Sequence, residues 1–191
     1  MKKYVIPLLL LSFVLAAGCA KPPTAEMEAA EAALTRAEND ADAAAYGESS
    51  LLRARDAANR MRTEARAKRY DAAKTAAAEV IAASDRAIAD GRAASTRARE
   101  EASALAASLR STLTETENSL NGAKTVPNIQ LDFTALTREF DGVRTQVEQT
   151  EAAVNANRPR EALEQGYAAR SALGNLQTRI SDGIRAASRK Q

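Results

Sequence analysis

Histidine and tryptophan are absent from the 191 residues, cysteine occurs once, and aromatic side chains make up 4%. Without histidine there is no imidazole for acid/base catalysis, and a single cysteine leaves no pair for a disulfide or a zinc site. The carboxylates and serines that remain fall in no Gly-rich phosphate loop, no G-x-S-x-G turn and no S-x-x-K pattern. The sequence therefore predicts no enzyme: no catalytic residue, no metal ligand, no cofactor and no small-molecule substrate. Proline is also scarce, with none between Thr24 and Val126. That removes the strongest helix breaker from most of the chain.

What is abundant is alanine, roughly a quarter of the residues where an average protein has it as merely one of the commonest. Alanine is the best intrinsic helix former, but its methyl group buries little area. The expectation is an all-α fold, an elongated antiparallel helical bundle of coiled-coil-like hairpins around one long central helix.

The lone cysteine has a specific setting. Lys2 and Lys3 precede an apolar stretch from Val5 to Val14, and Leu15-Ala16-Ala17-Gly18 leads directly into Cys19. A basic start, an apolar run too short to span a bilayer and small residues at the end are the parts of a secretory signal. Ending on cysteine, the segment resembles the lipobox of exported bacterial lipoproteins, with Leu at 15 one place earlier than usual. The resemblance implies cleavage between Gly18 and Cys19, lipid on the Cys19 sulfur, and a membrane tether without a spanning helix. Ala20, in place of an Asp, implies the periplasmic face of the outer membrane in a two-membrane bacterium, or the cell membrane in a single-membrane one. Lys21-Pro22-Pro23 completes a short extended tether over 19–23.

Loss of Lys2 and Lys3 with the leader leaves 25 basic against 25 acidic residues. A net charge of zero argues against nucleic acid as a partner.

Apolar and small residues recur at three- and four-residue spacing along three predicted helices in 24–120. The first, about 24–45, carries Met27, Ala30, Leu34, Ala37, Ala41 and Ala44. Gly47 is expected to end it in a left-handed conformation and Ser49 or Ser50 to cap the next. The second, about 50–68, carries Leu51, Ala54, Ala58, Met61 and Ala65. The third, capped by Asp71, runs to about Leu120, on the order of 70 Å at about 1.5 Å per residue. Asn-Gly and Pro-Asn mark a loop at 121–131 that divides the chain. A C-terminal hairpin over 132–191 follows, with Asp132 as cap, Phe133, Leu136, Phe140, Val143 and Val147 on one seam, and Pro159 opening a last helix lined by Leu163, Tyr167, Leu173, Leu176, Ile180 and Ile184. An internal echo relates Ala67–Ala73 to Ala156–Ala162, and Ile88-Ala89-Asp90-Gly91 to Ile180-Ser181-Asp182-Gly183 about 92 residues later. Each stretch reads as one helical hairpin.

The second helix is strongly basic: Arg53, Arg55, Arg60, Arg62, Arg66, Lys68 and Arg69 face only Asp56 and Glu64. Arg55, Arg62, Arg66 and Arg69 are the candidates for contact with an anionic ligand such as lipid phosphate or peptidoglycan carboxylate. The first helix is as acidic as the second is basic, with Glu26, Glu28, Glu31, Glu38, Asp40 and Asp42 against Arg36. Pairing between the two helices is the competing account of both charge runs.

Residues 19–95 also resemble an uncharacterised bacterial lipoprotein family with an Ala-rich helical domain that in some members precedes an OmpA-type peptidoglycan-binding domain. The resemblance rests on Pro22-Pro23-Thr24-Ala25-Glu26, Ala30–Ala37, Tyr46-Gly47, Leu51–Ala57 and Ala67–Lys74. It implies a helical fold, an envelope location and no chemistry. The sequence reading is thus a lipid-anchored envelope scaffold or spacer whose partner is an envelope protein or peptidoglycan. The alternatives are a peptidoglycan- or lipid-binding module and a chaperone-like accessory lipoprotein.

Overall fold

The computed structural model describes residues 21–189, so the leader, Gly18, Cys19 and the last two residues lie outside it. Six helices and no strand are present among the described residues: α1 (Thr24–Asn39), α2 (Ala41–Tyr46), α3 (Glu48–Arg66), α4 (Tyr70–Ala123), α5 (Phe133–Asn155) and α6 (Pro159–Ser188). The fold is an all-α helical bundle with one long helix. Two compact units divide between Arg92 and Ala93, inside α4, and not at the 121–131 loop.

Several helix ends differ from the sequence expectation. The first helix is broken at Asp40, whose extended backbone (φ −76°, ψ 119°) ends α1 and whose carboxylate accepts the Ala43 N–H at 2.9 Å to cap α2. Gly47 keeps φ at −99° and so uses no left-handed conformation. What Gly47 supplies is room, because a Cβ there would sit 2.6 Å from the Ala87 carbonyl oxygen. Neither Ser49 nor Ser50 caps α3, and Ser50 is buried with its hydroxyl donating to Asp90 at 3.0 Å. Asp71 lies inside α4, which starts at Tyr70 and continues three residues past Leu120. Asp132 does cap α5, accepting the Ala135 N–H at 3.0 Å, and Pro159 opens α6.

The first unit contains α1, α2, α3 and α4 up to Arg92. Its core is made of small side chains: Ala30, Ala54, Ala58, Ala76 and Ala77 around Leu34, Met61 and Val80, then Ala37, Ala43, Leu51 and Ala87. Such a seam brings backbones close together. At Gly91 an added Cβ would lie 2.6 Å from the Asp42 backbone.

The second unit contains the rest of α4 with α5 and α6. Leu105, Leu109 and Leu120 of α4 pack with Leu136, Phe140, Val143 and Val147 of α5 and with Leu173, Leu176 and Ile180 of α6. The buried Thr116 and Thr150 hydroxyls are satisfied within their own helices, donating to the carbonyls of Thr112 and Gln146 at 2.7 and 2.9 Å.

The two hairpins share a register of 89 residues. Both turns are Schellman closures with a non-glycine residue in the left-handed region, Lys68 (φ 59°) and Asn157 (φ 55°). In the first, Arg69 N–H donates to the Glu64 carbonyl and Lys68 N–H to that of Ala65; in the second, Arg158 donates to Ala153 and Asn157 to Val154. The same offset superposes the buried positions Leu51, Ala54, Ala58 and Met61 on Phe140, Val143, Val147 and Thr150. It likewise superposes Ala73, Val80, Ser84 and Ala87 on Ala162, Ala169, Leu173 and Leu176. The 92-residue spacing of the Ile-x-Asp-Gly echo is three residues out of this register, so that likeness is not the structural one.

Close approach makes a direct test. Gly91→Leu should lower the melting temperature strongly, since the side chain meets backbone that cannot turn aside, whereas Gly174→Ala should raise stability by about 0.5–1 kcal/mol, because its added methyl meets nothing within 4 Å. Thermal unfolding of the two variants measures both, and equal effects would contradict the packing described.

Candidate functional site

Three of the four candidate arginines are occupied by carboxylates. Arg62 of α3 grips Glu31 of α1 through two hydrogen bonds, Nε to Oε1 at 2.8 Å and Nη2 to Oε2 at 2.7 Å. That pairing raises the guanidinium pKa above its ordinary value. One helical register away, Arg55 Nε donates to Glu38 at 2.7 Å. Arg69 folds back on Glu64 across the hairpin turn, with Nη2 to Oε1 at 3.0 Å. The Glu64 carboxyl is held below its usual range by this hydrogen bond. Arg66 is exposed and has no ion pair among the described residues. The basic helix is therefore mainly matched by the acidic one, and the four arginines do not converge on a common ligand.

The pairings fix how α1, α3 and α4 of the first unit lie. Glu31 with Arg62 and Glu38 with Arg55 run in opposite directions along the chain, so α1 and α3 are antiparallel. Glu26 with Lys74 and Arg36 with Asp85 run in the same direction, so α1 and α4 are parallel. Asp40 closes the set, pairing with Arg92 at 3.1 Å while it caps α2. The Ala43 N–H, then Arg92, hold its carboxyl below the usual carboxylate value. With the folded pKa depressed, Asp40's contribution is complete above the ordinary carboxylate range and is lost as the pH falls through the lowered value.

The second unit repeats the arrangement. Arg110 of α4 pairs with Glu151 of α5 at 2.7 Å, and Glu117 of α4 with Arg144 of α5 at 3.0 Å. Glu151 and Arg144 stand 89 positions after Arg62 and Arg55, while Arg110 and Glu117 stand 79 positions after Glu31 and Glu38. One pair keeps its polarity and the other reverses it. A three-helix arrangement is thus present twice, in the first unit with the short α2 added, and α4 supplies the last helix of the first and the first helix of the second.

Of the tyrosines, Tyr46 and Tyr70 are half-buried, as their places near turns suggest. Tyr167 is 42% exposed, away from the core seam on which its spacing puts it. Its hydroxyl donates to Glu101, which raises its pKa, and the Arg170 guanidinium lies 4.9 Å from the ring centre.

Concave surface is present in the second unit. A groove of about 640 Å³ runs along α5 and α6 over Val143 and Leu176, edged by Gly142, Gln146 and Asn175. A smaller hollow of about 230 Å³ lies beside the α5–α6 turn, lined by Arg99, Ser103, Asn157 and Pro159 among others. In the larger groove the Thr178 hydroxyl donates to the Gly174 carbonyl of its own helix and Glu139 is paired with Arg179. Among the described residues no three metal-ligating side chains converge, and no helix is long and apolar enough to cross a membrane. Sequence reasoning missed the groove; its one linear trace is Gly142, a glycine in the middle of a regular helix.

Comparison with protein-family models, with curated proteins and with solved structures finds no match for this chain.

Exposed ion pairs are each worth about 0–1 kcal/mol and are screened by salt. The double reversal Arg55→Glu/Arg62→Glu should lower the melting temperature at low salt and less at high salt, while Arg66→Glu should leave it unchanged. Thermal unfolding over a salt series checks this, and an Arg66→Glu effect as large as that of the double reversal would contradict the pairing.

Proposed function

We propose that the protein is a lipid-anchored, non-enzymatic scaffold or spacer of the bacterial envelope, held through Cys19 on the periplasmic face of the outer membrane. The anchor is supported by the basic and apolar leader ending at Gly18-Cys19 and by Ala20. The observation that carries the scaffold reading is the three-helix arrangement present in both units, with ion pairs across its helices at matched places. Such a body presents helical surface to a partner and gathers no polar groups for chemistry.

A peptidoglycan- or lipid-binding module would need the basic face of α3 free. The salt bridges of Arg55 and Arg62 to α1 count against it.

The test is crosslinking in intact cells with the native chain and with Cys19→Ser. The native protein should incorporate a fatty-acid analogue and yield adducts with an envelope protein. Cys19→Ser should lose the label and appear in the soluble periplasm. Unchanged labelling and membrane association of Cys19→Ser would refute the anchor, and adducts with murein alone would refute the protein-scaffold reading.

A further inference from the structure

Ion pairs fix which parts of the first unit lie where the chain enters it. In both α1–α3 pairs the two residue numbers total 93, so Lys68 stands level with Ala25 and Arg66 with Met27. The α1–α4 pairs, whose numbers differ by 48 and 49, bring Tyr70 to the same end. The α3–α4 turn therefore lies beside the first turn of α1, at the point from which the chain leads back to Cys19.

Little chain separates that end from Cys19. Pro23 is already buried, and its carbonyl accepts the Met27 N–H at 3.0 Å. Four residue steps lie between Cys19 and Pro23, at most about 14 Å when fully extended. Acyl chains on Cys19 would hold the turn within that distance of the lipid headgroups.

The turn carries charge that its folding does not ask for. Arg66 and Lys68 are exposed and, like Lys21, have no ion pair among the described residues. The exposed carboxylates of this end that lack an ion pair are Glu28 and Asp71, which leaves three positive charges against two. In the copy of this turn 89 residues on, Asn155 and Asn157 stand at the places of Arg66 and Lys68. Asparagine is enriched at positive φ and Asn157 holds 55°, whereas Lys68 holds 59° without that preference. Cations near the second turn are engaged: Arg158 pairs with Glu161 at 2.7 Å, and Arg160 also has an interaction partner. Neutral amides thus suffice for this backbone shape, and the first unit has cations in their place at the end where the chain enters. Tyr70, half-buried beside the turn, has the apolar ring and polar tip that suit the boundary between headgroups and water.

A single cation beside an anionic leaflet gains only about fivefold in binding. A tether of this length makes the contact intramolecular, and weak attraction then suffices to orient the body. We propose that the α3–α4 turn is a membrane contact, in which Lys21, Arg66 and Lys68 meet the phosphates of anionic phospholipids and set the first unit on its end at the bilayer surface. The proposal rests on the anchor reading, and it uses the end of α3, whose face is occupied by the pairs with α1.

The test couples residues 19–191 through the Cys19 thiol, the chain's one cysteine, to a maleimide-bearing lipid in vesicles of phosphatidylcholine with or without phosphatidylglycerol. Reaction of each lysine with an acylating reagent is then followed by mass spectrometry. On the anionic vesicles Lys68 should react about fivefold more slowly than on the neutral ones, with Lys21 slowed as well, and high salt should abolish the difference. Arg66→Asn should reduce the protection of Lys68. Ser49→Lys places a reporter amine at the opposite end of α3, and it should react equally on both surfaces. Equal Lys68 rates on the two kinds of vesicle overturn the proposal, as does protection of the reporter equal to that of Lys68, or protection indifferent to Arg66→Asn. Chemical coupling makes the outcome independent of acylation in cells, so failure of the anchor reading shows only in the fatty-acid labelling of Cys19.

Discussion

Close approach of helices through alanine and glycine is the constraint on which the first unit depends. A methyl group removes little apolar surface from water, and at about 25 cal/mol per Å² each buried alanine stabilises far less than a leucine or phenylalanine. The shortfall is made up by contact geometry: backbones come near enough for dispersion between main chains to count. Gly47 and Gly91 show how near, since each lies where a Cβ would fall 2.6 Å from the backbone of another helix. The second unit has the same hairpin and turn but fills its seams with Leu, Phe, Val and Ile. One architecture is thus held together in two ways, by proximity in one copy and by apolar volume in the other.

Alanine seams are nearly featureless, so they specify register poorly. The ion pairs supply what the methyl groups lack. Each is exposed and individually weak, yet two of them stand at matched places in both units, Glu31–Arg62 with Arg110–Glu151 and Glu38–Arg55 with Glu117–Arg144. Reversal of polarity in the first of these matches shows that the pairing itself, and not the identity of the acidic helix, is what the fold requires. A slide of α1 by one turn would set four charges out of register at once. The buried Thr116 and Thr150 hydroxyls add no comparable information, because they are satisfied by carbonyls of their own helices, whereas the buried Ser50 hydroxyl of α3 donates to Asp90 of α4.

Much of this was legible in the sequence because three- and four-residue spacing survives any change of side-chain size. The seams of α4 and α5 and most of those of α3 and α6 follow from it, though Tyr167 lies off the α6 seam, and the Asp132 cap and Pro159 at the start of α6 were legible too. The break at Asp40 was hidden, since Asn39-Asp40 sits within a run of helix formers and only the capping bond to Ala43 tells it apart from an exposed helical aspartate. Lys68 in the left-handed region was hidden for a similar reason: the Schellman closure demands that backbone shape and lysine does not advertise it. The repeat was visible at the turn but misregistered at Ile-Ser-Asp-Gly, where likeness of letters outran likeness of position. The basic helix was legible as a charge run, but whether its arginines were free depended on the acidic partner's register, which only the assembled unit fixes. The groove at Gly142 left the weakest trace, being a property of two helices together.

The two ways of holding one architecture differ in consequence for stability. Bulky apolar burial contributes most to the second unit, so it should open more rarely than the first even though both contain the same helical hairpin and turn. Native-state hydrogen exchange resolved along the chain measures this directly. The account predicts that amides of residues 136–184 exchange more slowly than those of 27–65. Equal protection, or greater protection of 27–65, would contradict it and would mean that close approach through alanine and glycine contributes as much as apolar volume.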